Sequence, residues 1–230
     1  MTARLVEHPS REAQAQALAE AVAADLRAAL DARGVARIAV PGGTTPGPFL
    51  TRLGGLPLDW DRIAVTLTDE RWVPTSSDRS NQRLLSDTLF RGPAAAAAFA
   101  PLYGATAEPA QAMDAICASL GRIALPLDVA VLGMGEDMHA ASLFPGADRL
   151  AAALADDAPP AMALRAPGAG EARVSLTAPV LRAARKAYLL IQGPAKRAAL
   201  ARAAAAKDAT EAPVRVVLDR DGPTEIFYAD

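Results

Sequence analysis

Apolar positions in this chain switch between two periods, and the alternation predicts most of its elements. Leu18, Val22, Leu26 and Leu30 recur every four residues, the spacing of one helix face. Ser10 stands before them as an N-cap, Glu12 falls in the first turn and Gly34 follows as a stop, so a helix is expected from about Ser10 to Arg33. The next apolar run, Arg37-Ile38-Ala39-Val40, is short and ends at Pro41-Gly42-Gly43-Thr44-Thr45-Pro46, with a second helix expected from Pro48 to about Leu53. The same sequence of events then recurs. Arg62 to Thr68 reads as a buried strand ending at Asp69-Glu70-Arg71, and Leu127 to Leu132 as another ending at Gly133-Met134-Gly135. Lys186 to Ile191 ends at Gly193-Pro194-Ala195-Lys196 and an Ala-rich helix, while Val214–Leu218 and Glu225–Tyr228 read as closing strands.

Short apolar strands alternating with helices imply an α/β fold: a doubly wound, mostly parallel sheet with helices on both faces. Segment 92–125 is read as helical packing over that sheet, helped by the alanine run Ala94 to Ala98. Segment 146–170, with Asp156-Asp157-Ala158-Pro159-Pro160, is read as containing an exposed loop near the site. No internal repeat, coiled coil or linker interrupts the chain, so one domain spanning 1–230 is expected.

Composition narrows the function. With 51% hydrophobic and 22% charged residues the chain reads as globular. A net charge of −2 offers no global attraction for nucleic acid or an anionic membrane, so any anion site is built locally. Cys117 is the only cysteine, which fits a reducing compartment. No run of about 18 uncharged apolar residues suggests a membrane span, and Met1 to His8 carry no leader-like apolar core. A cytoplasmic location is the resulting expectation.

The unusual residues each follow an expected strand, at the carboxyl edge where ligands bind in open α/β sheets. Gly42 and Gly43 let backbone approach a ligand, Thr44 and Thr45 add hydroxyls, and the helix that follows favours an anion. Asp69-Glu70-Arg71 supplies charge, with Arg71 suited to a phosphate, a carboxylate or a developing oxyanion. Ser80 and Asn81 are placed to line the same mouth. Asp137 and His139, two apart in what is read as an extended segment, would point the same way, letting the carboxylate orient an imidazole that moves protons near neutral pH. Arg173, at an expected strand-to-helix junction, and Lys196, in a first helical turn, add cations. Two histidines and one cysteine show no closed zinc set, and no Gly-x-Ser-x-Gly elbow is present.

These residues carry a resemblance. Pro41 to Pro46, Thr68 to Val73, Ser80-Asn81, Leu132 to Pro145 and Gly193 to Lys196 resemble, in order and almost end to end, the motifs of the 6-phosphogluconolactonases. The resemblance implies a sugar-phosphate isomerase/deaminase-like fold and hydrolysis of 6-phospho-D-glucono-1,5-lactone without cofactor or metal. It implies His139 as general base, Asp137 as its support and Arg71 as a steadying cation. Gly43, Thr44, Arg173 and Lys196 would hold the phosphate, with Gly42, Thr45, Asp69 and Asn81 completing the substrate-binding set. The expected partner is therefore a small phosphorylated sugar lactone, with no nucleic acid and no membrane, and the chain a monomer or small homo-oligomer. The chain departs from the family pattern at Met138, where a glycine is usual, at Ala140 for Thr and at Pro41 for Ser. The competing readings are a glucosamine-6-phosphate deaminase or isomerase and a non-catalytic sugar-phosphate sensor. Ser142-Leu143-Phe144-Pro145 after the histidine favours the lactonase.

Overall fold

A computed structural model describes residues 3–230, so residues 1 and 2 of the expected 1–230 domain lie outside the described residues. Ten strands are present among the described residues: β1 (Arg4–Glu7), β2 (Ala36–Val40), β3 (Ile63–Leu67), β4 (Asp69–Arg71), β5 (Ala98–Ala100), β6 (Val129–Gly133), β7 (Ala161–Leu164), β8 (Arg173–Leu176), β9 (Lys186–Gln192) and β10 (Thr224–Ala229). The α-helices are α1 (Arg11–Arg33), α2 (Gly47–Gly54), α3 (Asn81–Asp87), α4 (Met113–Arg122), α5 (Leu150–Leu154), α6 (Ala178–Ala183), α7 (Gly193–Ala205) and α8 (Arg215–Leu218).

Seven strands form one sheet in the order β1-β10-β9-β6-β2-β3-β5, every pair parallel. Consecutive residues of a strand face opposite sides. Because Ile38, Ala39 and Val40 are all buried, as are Val129 to Leu132 and Ala187 to Ile191, both faces of the central strands are covered. The register aligns the strand ends: Val40 lies opposite Leu67, and Gly133 opposite Leu190. The loops after β2, β3, β6 and β9 therefore leave from one edge.

Helix α1 forms as its period predicts. Leu18, Val22 and Leu26 are fully buried and Leu30 nearly so, each contributing about 2 kcal/mol of apolar burial. Ser10 accepts a hydrogen bond from the Ala13 N–H at 3.1 Å, and Gly34 ends the helix in the left-handed region. No helix among the described residues is long and apolar enough to cross a membrane.

Several expectations are corrected. Val214–Leu218 is not a strand: Val214 caps the short helix α8. A brief apolar run suits a buried strand or a buried helical turn equally, and β10 already has β1 and β9 on its two sides. Segment 92–125 is not helical throughout; Ala98–Ala100 adds to the sheet beside β3. Asp69-Glu70-Arg71 is itself a strand, in a smaller antiparallel sheet ordered β4-β8-β7. Finally, the Asp156 to Pro160 loop does not border the cleft. Asp156 pairs with Arg182 of α6 at 2.9 Å, and Thr177 hydrogen-bonds the Pro159 carbonyl.

Candidate active site

A cleft of about 230 Å³ opens at the carboxyl edge of the main sheet. It is bordered by Pro41 to Pro46 after β2, by Thr68, Asp69 and Arg71 after β3, by residues 133–135 and His139 at and beyond the end of β6, and by Gln192 and Lys196 at and beyond the end of β9. Asn81 and Arg173 complete it. Of the residues singled out from sequence, Gly42, Gly43, Thr44, Thr45, Asp69, Arg71, Asn81, His139, Arg173 and Lys196 all face this space. Asp137 stands behind His139 instead of on the wall.

The histidine loop is a turn. Met138 adopts φ 67°, its N–H donates to the Gly135 carbonyl at 3.1 Å, and Gly135 N–H donates to the His139 carbonyl at 2.9 Å. The expectation of an extended segment is thus wrong; chain reversal, not strand alternation, brings Asp137 against His139. Asp137 Oδ1 lies 2.6 Å from His139 Nδ1 and also accepts the His139 backbone N–H at 3.3 Å. Only glycine fits at 135, because a Cβ there would stand 2.1 Å from both Asp137 Oδ1 and His139 Nδ1. Burial pushes the Asp137 carboxyl up, yet the hydrogen bonds and charge of His139 outweigh it and hold that carboxyl below its usual value. A carboxylate only accepts, so the neutral ring carries its proton on Nδ1 and leaves Nε2 with a free lone pair. The Phe144 ring packs on the imidazole at 4.0 Å between centroids.

Arg71 and Arg173 are directly opposite each other in the β4–β8 pairing. Arg173 opens β8, which leads through Thr177 into α6 as the strand-to-helix reading expects, and it reaches the cleft from the smaller sheet. Its Nη2 donates to the Ala169 carbonyl at 3.1 Å, and Arg71 Nη1 donates to the Arg79 carbonyl at 2.8 Å. The Nε atoms of both arginines are buried and find no hydrogen-bond partner among the described residues. Buried donors of this kind are costly unless something accepts from them. Burial lowers the Arg173 pKa, with nearby Asp69 opposing the shift. Lys196 lies in the first turn of α7, where no side chain caps the helix amides.

Asp69 and Glu70 play different parts. Asp69 Oδ2 accepts a 2.6 Å bond from the Ser142 hydroxyl, tying β4 to the histidine loop, and its backbone carbonyl accepts from Asn81 Nδ2. Glu70 faces away from the cleft, fully buried. Its carboxylate accepts the backbone N–H groups of Arg71, Asn81 and Gln82 at 2.7–2.8 Å and the Ser80 hydroxyl at 3.1 Å. Burial pushes the Glu70 carboxyl up against these bonds. The carboxylate fixes the start of α3 and hence Asn81, which leaves no room for a Cβ on Gly42; one would stand 1.9 Å from the Asn81 side chain.

Gln192 is not among the residues singled out from sequence, and Met134 and Ser142 are there only as members of motifs, not as site residues. Gln192 carried a signal: it is a polar residue ending an apolar strand, directly before the glycine turn. Ser142 and Met134 carried none that chain order reveals.

Comparison with known proteins follows the same lines. The family model described as glucosamine-6-phosphate isomerases/6-phosphogluconolactonase matches residues 9–226. A 6-phosphogluconolactonase of Rhizobium meliloti is 47% identical over 231 residues, covering 98% of this chain and 97% of that protein. One from Mesorhizobium japonicum is 44% identical, covering 96% and 93%. A crystal structure of a 6-phosphogluconolactonase from Shewanella baltica superposes with a TM-score of 0.96 at 33% identity, covering 99% of this chain and 98% of that one.

Proposed function

The chain belongs to the glucosamine-6-phosphate isomerase/6-phosphogluconolactonase family, and from that premise we propose that it hydrolyses 6-phospho-D-glucono-1,5-lactone to 6-phospho-D-gluconate through His139. The observation that carries the mechanism is the His139–Asp137 pair, 2.6 Å apart, in a cleft that also holds Arg71, Arg173 and Lys196.

His139 Nε2 takes a proton from water as the water oxygen bonds to the lactone carbonyl carbon. The carbonyl π electrons move onto oxygen, and Arg71 faces that oxyanion. When the tetrahedral intermediate collapses, the bond to the ring oxygen breaks and the imidazolium returns its proton to that oxygen. Asp137 holds the ring in one tautomer and stabilises the transient imidazolium. A lactone is an activated ester, so the route calls for no covalent nucleophile and no cofactor. The phosphate is held by Arg173 and Lys196 with the Gly43-Thr44 backbone and the uncapped first turn of α7. Gly42, Thr45, Asp69 and Asn81 shape the sugar site. Asp69, an acceptor fixed by Ser142, suits a ring hydroxyl and repels phosphate, which orients the substrate. The loop continues to Phe144, an apolar ring against His139, and this speaks for hydrolysis over the deaminase reading. We take the enzyme to act as one domain in the cytoplasm, as a monomer or small homo-oligomer, on a small molecule and not on nucleic acid.

The test is hydrolysis of freshly made 6-phosphogluconolactone above its spontaneous rate. Wild type is expected to accelerate it, and His139→Ala to lose about 10²–10⁴-fold in kcat. No acceleration by wild type ends the lactonase reading; full activity in His139→Ala removes His139 as the base.

A further inference from the structure

Gln192 is a polar residue on the cleft wall whose chemistry the mechanism above leaves unused. Its orientation is decided elsewhere. Gln14 of α1 is fully buried, and its Nε2 donates to the carbonyls of Ile191 and Phe227, both at 2.8 Å. These carbonyls lie near the carboxyl ends of β9 and β10, where a buried acceptor left unpaired is costly. Turning the Gln14 amide over would set its oxygen against two carbonyl oxygens, so both its N–H groups are committed and Oε1 faces Gln192. Gln192 Nε2 donates to that oxygen at 2.8 Å. Turning the Gln192 amide would likewise oppose two acceptors. The Gln192 oxygen is therefore left over, with no hydrogen bond from the described residues.

The backbone agrees. Gln192 is the N-cap residue of α7, yet its side chain does not cap the helix. It gives up that bond and reaches Gln14. The result is an amide oxygen, held by a buried clamp, on the wall that also carries Lys196 one helical turn later.

We propose that Gln192 is a substrate-binding residue whose Oε1 accepts a hydrogen bond from one ring hydroxyl of the lactone, with Gln14 as its positioning residue. The inference rests on the lactonase reading. Phosphate oxygens and the lactone carbonyl are acceptors and do not satisfy Oε1; of the substrate's groups, hydroxyls do. The Gln14–Gln192 pair thereby makes the cleft selective for a hydroxylated lactone over a deoxygenated one.

The experiment measures kcat/KM of wild type and Gln192→Met on 6-phosphogluconolactone and on its 2-deoxy, 3-deoxy and 4-deoxy analogues, with thermal melting to show that the nearly isosteric variant is folded. Gln192→Met is expected to lose about 10-fold on the parent lactone. One analogue is expected to cost wild type a similar factor and to cost Gln192→Met nothing further, the coupling that a direct contact produces. An equal loss on the parent and all three analogues, or no loss on the parent, overturns the proposal while leaving the lactonase reading intact. A wild type that does not accelerate the parent reaction overturns the lactonase reading and this inference with it.

Discussion

The two ends of β6 each present an acidic residue among basic ones, and they are built to opposite purposes. At the amino end Asp128 is buried and saturated. Its Oδ1 meets Arg33 Nη2 at 2.6 Å and Arg185 Nε at 3.4 Å, while Oδ2 accepts the Arg37 backbone N–H at 2.8 Å. Arg37 Nε is in turn bonded to the Ile123 carbonyl at 2.5 Å. At the carboxyl end Asp137 is half-exposed and its side chain has one partner, His139, in a turn that puts Met138 in the left-handed region. In the cleft that His139 lines, Arg71 and Arg173 keep buried Nε donors without partners among the described residues. Charge alone does not tell the two apart. Unfilled hydrogen-bonding capacity does, because a structural cluster minimises it whereas a binding site keeps it for its ligand.

The contrast is tested most severely at its two carboxylates and at Arg173. Asp137→Asn keeps the size but removes the negative charge that steadies the imidazolium, and its amide N–H can donate to Nδ1 and so favour the wrong His139 tautomer. It is expected to lower kcat by about 10²–10³-fold with the melting temperature nearly unchanged. The sign of its pH linkage follows from the lowered carboxyl pKa. The Asp137 carboxylate stays charged through neutral and mildly acid pH, and the stabilisation it gives is lost only as pH falls through the depressed folded value. Next in size, Arg173→Met is expected to lower kcat/KM for the phosphorylated lactone by about 50–100-fold, since charged hydrogen bonds contribute roughly 1.5–3 kcal/mol. The unphosphorylated lactone should be affected several-fold at most. Equal losses on the two substrates would remove Arg173 from the phosphate.

At the amino end the effect should move from rate to stability. Asp128→Asn leaves Arg33, Arg37 and Arg185 around a neutral group and is expected to cost about 2 kcal/mol, well short of a fully buried pair because Arg33 and Arg185 are 33% and 55% exposed. Denaturant unfolding measures that loss. Turnover by the folded fraction should match wild type; a large fall in kcat would mean the two ends of β6 are not independent.

How much of this was legible in the sequence differs by element length and by what decides each element. Helix α1 declares itself, because four leucine and valine positions, a serine cap and a glycine stop agree over 23 residues. The parallel sheet is legible for the same reason: its central strands are buried on both faces and read as unbroken apolar runs. The failures are short. Val214–Leu218 has strand-like residues, but its fate depends on whether a sheet edge is free, which is a property of the whole topology. Ala98–Ala100 looks helical by composition and is a strand because β3 needs a neighbour. At the site, the residues in the loops after the strands are legible from sequence, whereas hydrogen bonds between side chains far apart in sequence are not. Ser142 meets Asp69 across 73 positions and Gln14 meets Gln192 across 178. The pairing of Asp137 with His139 was anticipated, but through the wrong backbone geometry, since an extended segment and a tight turn both bring together residues two apart.

That turn supplies the smallest and sharpest test. Met138 has φ 67°, a region that costs a non-glycine residue about 1 kcal/mol. The side chain is not idle, for it packs against the hydrophobic core, and the Met138 carbonyl accepts the Val214 N–H at 3.0 Å. Met138→Gly removes the strain and keeps that backbone bond, but it loses the packing and frees the unfolded chain. These terms oppose each other, so the net change in stability is expected to stay within about 1 kcal/mol. If the Gly135–His139 hydrogen bonds and Asp137 hold the imidazole without help from Met138, kcat also stays within about 3-fold of wild type. A tenfold or larger fall in kcat at unchanged stability would show that the methionine, and not the turn alone, orients His139. The contrast between the ends of β6 would then lie in side-chain packing as well as in unfilled hydrogen bonds.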